Sequence, residues 1–262
     1  MQVNYKKSLG QNFIYDTNFL ESIIKDLKLS KDDLVIEVGT GLGTLTNVIA
    51  KHAGHVITYE VDKSLTPILN HNVELIYSDA LTAQMPNQPY KLVANIPYYI
   101  TTPLLTKFTR DPNCTQINVL VQLELANRIV AKPSTPEYGA LTIGIQSWGT
   151  PRILRNAPRQ LFKPVPKVDS AFLTIAPHKN PIHICDKFLK QIFSQRRKTI
   201  LNALSRITDK STAIKILTQL NIHPAARPET LTIPQFQQVF HQIKIENLVG
   251  IDNQPEKCYH IK

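Results

Sequence analysis

Cysteine is scarce. Cys114, Cys185 and Cys258 are the only three in 262 residues, with no Cys-x-x-Cys or Cys/His spacing, so neither a disulfide framework nor a metal site is expected. No apolar run approaches the ~18 residues of a membrane span. The opening MQVNYKKSLGQNF lacks the apolar stretch and small-residue cleavage site of a secretory signal, so a cytoplasmic protein without membrane contact is expected. The hydrolase signatures GxSxG and HExxH are missing, and the eight histidines are scattered. A hydrophobic fraction of 42% excludes disorder and suffices for a sizeable core.

Acidic residues are thin in one part only. Residues 1–150 hold 12 Lys+Arg against 13 Asp+Glu, whereas residues 151–262 hold 18 against 7. That asymmetry fits a chain whose first part takes a small ligand and whose second meets a polyanion, since Lys and Arg displace counterions from phosphates. A solvated basic face would look the same.

The first part alternates strand and helix signals. LVIEV (residues 34–38) leads into Gly39-Thr-Gly-Leu-Gly43 and then TLTNVIAKHA, whose apolar spacing is helical: strand, glycine turn, helix. HVITYE, VELIY, KLVANIPYY and INVLVQL follow as further strands, which predicts a doubly wound, mostly parallel sheet with its ligands at the carboxyl ends of the strands. Beyond Pro151 the Pro/Lys-rich LFKPVPKVDS leads to AFLTI, read as a last strand of the same sheet. From about Asp186 the pattern is helical, in KFLKQIFSQRRKTILNALSRI, TAIKILTQL and PQFQQVFHQI. The expected division is an α/β domain over 1–180, a helical domain over 181–250 and a polar tail over 251–262.

Glycines 39 and 41 let the backbone turn tightly against a ligand, and the next helix offers free N–H groups. A dinucleotide fingerprint would place its third glycine at position 44, which is Thr44 here; this argues against a nicotinamide cofactor. Glu60, closing the next strand, is placed to accept from the two ribose hydroxyls of an adenosine. Asp79, after the third strand, could accept from an adenine amino group or simply form a turn.

Asn95-Ile96-Pro97-Tyr98 is the sharpest signal. Methylating an adenine amino group requires two acceptors to hold its hydrogens and steer the nitrogen toward tetrahedral geometry. The Asn95 side-chain oxygen and a backbone carbonyl of the turn can do this, and Pro97 fixes the turn without a competing N–H. Tyr98 offers a ring for an unstacked base and Phe162 could cover its other face, although either ring could belong to the core. In the basic part, Arg196, Arg197 and Lys198 precede Ile200, Leu201 and Leu204 of what reads as one helix, which would turn the triplet outward toward RNA phosphates.

KSLGQNFIYD, VIEVGTGLGTLT, YEVD, SDAL, NIPYYITTPLL, QLELANRIV, YGALTIGIQ, FKPVPKVDSAF, SQRRKTILNAL and RPETLT stand in the order found in the ribosomal RNA adenine N6-dimethyltransferases, which the chain resembles over nearly its whole length. The resemblance implies a Rossmann-like methyltransferase domain with a small C-terminal helical domain, S-adenosylmethionine as cofactor, and no metal. It is greatest to the bacterial small-subunit branch, which modifies two adjacent adenines in the 3′-terminal hairpin loop of 16S rRNA. A monomer acting on 16S rRNA in a partly assembled small subunit is therefore expected. By the same resemblance Asn12 and Ile14 close over the cofactor, Gly39 lines it, Glu60 holds its ribose and Asp79 lies beside its adenine. Asn95 is shared between the methionine end and the target base, and Tyr98 and Phe162 stack. Ile96 and Tyr99 depart from residues frequent in the small-subunit branch, and NIPY also occurs in the large-subunit, antibiotic-resistance branch. That branch, a nicotinamide-dependent oxidoreductase and a non-catalytic RNA-binding assembly factor remain the alternative readings.

Overall fold

Val35 and Ile36 are completely buried, and the sheet is built around the strand that carries them. The computed structural model describes Lys6, residues 9–195 and residues 197–245. The chain opens with β1 (Phe13–Ile14), α1 (Thr17–Asp26), β2 (Leu34–Val38), α2 (Thr44–His52), β3 (His55–Glu60), β4 (Val73–Tyr77) and β5 (Tyr90–Asn95). It continues through α3 (Thr101–Arg110), β6 (Cys114–Gln122), α4 (Leu123–Val130), α5 (Ala140–Trp148), β7 (Gly149–Ala157), β8 (Phe162–Lys163) and β9 (Ser170–Pro177). Helices α6 (Asp186–Phe193), α7 (Ile200–Leu204), α8 (Lys210–Gln219) and α9 (Ile233–Ile245) complete it.

Seven strands form one sheet in the order β4-β3-β2-β5-β6-β9-β7. The pairs β3–β4, β2–β3, β2–β5 and β5–β6 are parallel, and β9 runs antiparallel to β6 with Ile117 opposite Ile175. Each of the strands expected from the apolar runs is present, and the run after LFKPVPKVDS does join the same sheet. The fully apolar character of β2 outside Glu37 follows from this position, since a parallel strand covered on both faces has no solvent side. Leu20, Ile23 and Ile24 of α1 and Val48 and Ile49 of α2 pack with Val35, Val56 and Val93 in one core. Helix α1 starts where the Asp16 side chain accepts from the Phe19 N–H at 3.0 Å, an N-cap.

The chain divides into two units, Met1–Asn127 with Thr150–Pro177, and Arg128–Gly149 with His178–Lys262. Residues 128–149, placed by the expected division in the α/β domain, belong here to the second unit. Tyr138 and Ile143 are buried against Phe188, Leu189 and Phe240 in the core of the second unit, and the Tyr138 hydroxyl donates to the Leu231 carbonyl at 2.9 Å. Helix α5 is apolar apart from Thr142, Gln146 and Ser147, and its sequence gives no hint of which core it joins. A second difference lies in KFLKQIFSQRRKTILNAL, which reads as one helix yet forms α6 and α7 with a break over 194–199. Thr199 restarts the chain as an N-cap, its hydroxyl accepting from the Asn202 N–H at 3.3 Å. Arg197 and Lys198 lie in that break and are exposed, while Arg196, Cys258 and the 251–262 tail lie outside the described residues.

Glu37 is a charged residue type at the centre of this apolar strand. It is completely buried, and one carboxyl oxygen accepts from the Thr46 and Thr58 hydroxyls, each at 2.6 Å. Its Oε1 has no partner among the described residues. Burial pushes its pKa up to about 8 against the lowering by those two hydroxyls, and the nearby Glu60 charge pushes the same way. Glu37 is therefore largely protonated in the native state at neutral pH. Below the ordinary value of 4.5 both folded and unfolded chains hold this proton; as pH rises toward about 8 only the native chain keeps it, so its contribution to stability is lost across that window. Glu37→Gln should flatten the dependence of Tm on pH between about 5 and 8, measured by calorimetry at several pH values. A wild-type-like slope in the variant would locate the dependence elsewhere.

Candidate active site

Strand order reverses between β2 and β5, and a crevice opens beyond the carboxyl ends of the two strands. There lies a cavity of about 250 Å³, lined by the ends of β2, β3, β4 and β5 and by the segment Leu9–Phe13. Gly39 and Gly41 sit on its wall with φ of +86° and +56°, which L side chains rarely adopt. A Cβ on Gly41 would meet the Phe13 ring at 2.6 Å, and one on Gly39 would lie 3.7 Å from the Asn95 carbonyl oxygen, across the switch point. The left-handed φ at both glycines, and at Gly41 the Phe13 ring as well, thus disfavour side chains where the cavity passes.

Glu60 enters the cavity from the end of β3 and is buried. One of its carboxyl oxygens accepts from the Gly41 N–H at 2.9 Å and the other from the Asp62 N–H at 2.8 Å. The carboxylate therefore bridges the β2 and β3 ends, and each oxygen retains a lone pair for a further donor. Asp79, after β4, also lines the cavity; its Oδ1 accepts from the Leu81 N–H at 2.8 Å, so it forms a turn and a cavity wall at once.

Asn95 closes β5. Its Nδ2 donates to the Asn12 carbonyl at 2.8 Å. Reversing the amide would set two carbonyl oxygens against each other, so the donor side is fixed toward Asn12, and no described residue donates to Oδ1. Pro97 follows in a 3-10 turn whose first bonds run from the Ile100 N–H and the Thr101 hydroxyl to the Pro97 carbonyl. Tyr98 is half-buried on the cavity wall, its hydroxyl 2.7 Å from that of Ser170. Burial raises the Tyr98 pKa, and Asp169 adds to the rise against the lowering by Ser170.

Asn12, Gly39, Gly41, Glu60, Asp79, Asn95, Pro97 and Tyr98 thus meet around one cavity. Two of the expected residues do not join them. Phe162 is 0% exposed and packs with Ile14, Leu20 and Phe172 in the core of the first unit, and Ile14 is its partner in the β1–β8 ladder. Successive residues of a strand point to opposite faces, so Phe13 faces the cavity and Ile14 does not. Phe162 accordingly takes the core reading left open for it, and in this structure it is not a stacking wall. Four residues to which sequence reasoning gave no site role belong here: Gln11 and Tyr99 line the cavity, Asp62 holds Gln11, and Lys107 braces the Asp79 loop. Tyr99, beside Tyr98 in the motif, was the one with a visible signal. Partners such as Lys6 and Asp62 are 56 residues apart and leave none.

Residues 2–244 match the family model described as ribosomal RNA adenine dimethylase. The chain belongs to that family. It is 37% identical to the ribosomal RNA small subunit methyltransferase A of Oceanobacillus iheyensis, over 90% of this chain and 89% of that one. With the protein of the same name from Clostridioides difficile it shares 40% identity, over 88% of each. Among solved structures, it resembles the 23S rRNA methyltransferase ErmE at 26% identity with a TM-score of 0.68, over 88% of this chain and 99% of that one. A dimethyladenosine transferase from Plasmodium falciparum shares the fold with a TM-score of 0.79 at 24% identity, over 90% of this chain and 98% of that one.

In this dimethylase fold one lysine holds the Asp79 wall in place. Lys107 of α3 donates through Nζ to the carbonyls of Ala80 at 2.7 Å, Leu81 at 3.2 Å and Ala83 at 2.5 Å. Partial burial depresses its pKa, opposed by the Asp111 and Asp79 charges. Lys107→Met keeps the stem but orphans three carbonyls, so amide exchange over residues 79–83 should quicken. Tm should fall by a few degrees, the consequence of roughly 1–3 kcal/mol. Unchanged exchange there would show that the loop holds itself.

Proposed function

We propose that this chain transfers methyl groups from S-adenosylmethionine to the N6 amino groups of two adjacent adenines in the 3′-terminal hairpin loop of 16S rRNA. It acts as a cytoplasmic monomer on a partly assembled small subunit. The observation that carries this reading is Asn95: its amide nitrogen is committed to Asn12, and its oxygen stands uncommitted on the wall of the cavity that Glu60 and the glycine turn also line. Relatives at 37 and 40% identity bear the small-subunit name, whereas the 23S enzyme stands at 26%, which favours the 16S substrate over the large-subunit alternative. A non-catalytic assembly factor would have no need of the intact acceptor set Glu60, Asp79 and Asn95.

The cavity residues fit the cofactor. Glu60 has a free lone pair on each oxygen for two adjacent ribose hydroxyls, Gly39 and Gly41 leave the floor bare, Asp79 offers an acceptor beside the adenine, and Asn12 belongs to the covering segment. When bound, S-adenosylmethionine supplies an electrophilic methyl group on a sulfonium centre. The protein's part is positional. Asn95 Oδ1 accepts one N–H of the extruded adenine, and a backbone carbonyl of this turn other than that of Pro97, which is already occupied, accepts the second. Two acceptors draw the amino lone pair out of the ring and toward the methyl, the Tyr98 ring supports the base, and the proton lost by N6 passes to water. No side-chain nucleophile is required. Arg197 and Lys198, exposed between α6 and α7, are suited to RNA phosphates in the second unit, with Arg196 beside them in sequence.

The test is mass spectrometry of nucleosides from small-subunit RNA, free and in immature subunits, after incubation with the pure protein and S-adenosylmethionine. N6,N6-dimethyladenosine in the 3′-terminal hairpin is the expected product, and modification confined to large-subunit RNA would favour the other branch. For the cofactor, Glu60→Ala should raise the dissociation constant of S-adenosylhomocysteine, measured by calorimetry, with RNA affinity nearly unchanged. A rise of about tenfold to a hundredfold is expected, from the ~1.5–3 kcal/mol of charge-assisted hydrogen bonds. An unmoved constant would remove Glu60 from the ribose.

A further inference from the structure

The cavity wall formed by Leu9–Phe13 is irregular, and two polar anchors hold it. Asp62, two residues past Glu60 and 3% exposed, is the first. Its Oδ1 accepts from Lys6 Nζ at 2.6 Å, from the Ser64 N–H at 3.0 Å and from the Ser64 hydroxyl; its Oδ2 accepts from Gln11 Nε2 at 2.9 Å. The Gln11 side-chain oxygen in turn accepts from the Lys6 N–H at 2.8 Å. Burial alone would raise the Asp62 pKa, but Lys6, Ser64 and Gln11 together hold the carboxyl well below the usual carboxylate range. The second anchor is the Asn12 carbonyl on Asn95 Nδ2, and Asn12 Nδ2 also donates to the Gly10 carbonyl at 3.1 Å. A turn-forming role accounts for the bonds from Ser64 and leaves those from Lys6 and Gln11, more than 50 residues away in sequence, without a reason.

We propose that Asp62 is a positioning residue of methyl transfer: it anchors the N-terminal segment through Lys6 and Gln11, and the anchored segment holds the Asn95 amide with its oxygen toward the cavity. This rests on the reading of Asn95 as acceptor of the target amine. The carboxylate is suited to the task because it is ionised and takes donors on both oxygens at once. It also follows Glu60 closely, so the covering segment and the ribose acceptor hang on the same strand end.

The test compares Asp62→Asn, Lys6→Ala and the double variant with the unaltered chain. The side-chain amide that Asp62→Asn introduces can still accept from Ser64, so the local turn survives, while the ionic tie to Lys6 is lost. In ligand-free protein, amide exchange over residues 9–14 should quicken about tenfold in Asp62→Asn. With RNA substrate, kcat should fall about tenfold while KM for RNA stays put, the pattern of a lost transition-state alignment. Lys6→Ala should move both in the same direction by less, and the double variant should be no worse than Asp62→Asn, because both substitutions cut one tie. Should Asp62→Asn fold poorly by circular dichroism, Lys6→Ala carries the test, since the Lys6 side chain is 46% exposed. Unchanged exchange overturns the anchoring, and quickened exchange with unchanged kcat overturns the positioning. Asn95→Ala separates the two readings: activity retained there overturns the role of Asn95 and the proposal with it, whereas activity lost there but retained in Asp62→Asn overturns the proposal alone.

Discussion

A parallel sheet whose strand order turns back on itself leaves one gap that no crossover helix can cover, and here that gap lies between β2 and β5. The two strands run side by side with Ile36 opposite Leu92, then part at Gly39 and Asn95. Because β3 and β4 extend the sheet in the same direction, their ends deliver Glu60 and Asp79 to the same rim. A glycine turn, two acids and an amide thus arrive together with no long-range design beyond strand polarity. The chemistry proposed for the site is of the same kind: it asks for placement of acceptors and exclusion of clutter, and strand ends supply both.

Much of this was legible in the sequence because strands leave period and punctuation. LVIEV followed by glycines, HVITYE ending in an acid and KLVA followed by Asn-Ile-Pro each mark a strand end by a change from apolar to special residues, and each of these ends lines the cavity. Asp79 shows the limit: its acid is a turn former and a cavity wall, and no reading of one residue can separate two roles that coexist. Phe162 and Ile14 show another. Whether an aromatic in a short strand faces ligand or core depends on which way a two-residue ladder is turned, and β1–β8 is too short to show an alternation.

The second unit was less legible for related reasons. Apolar residues stop at Phe193 and resume at Ile200, but the six polar residues between them include no glycine or proline, so the stretch reads as one helix although the N-cap at Thr199 divides it. The apolar residues of helix α5 could serve either core from its sequence alone; only the buried neighbours of Tyr138 and Ile143 decide. Tertiary hydrogen bonds are the least visible class. Lys107 on three carbonyls and Asp62 on Lys6 and Gln11 join positions whose pairing no local rule connects.

Glu60 has one further consequence. Its two oxygens are already held by the backbone N–H groups of Gly41 and Asp62, so its rotamer is selected when the chain folds and not when a ligand arrives. Freezing a side chain of this kind during association ordinarily costs about 0.5–1.5 kcal/mol. Here that entropy is lost once, at folding. On the proposed reading of Glu60 as the ribose acceptor, each round of ligand exchange meets a rigid receptor, which suits a transferase that must release one spent nucleoside and accept a fresh one for every methyl group it delivers.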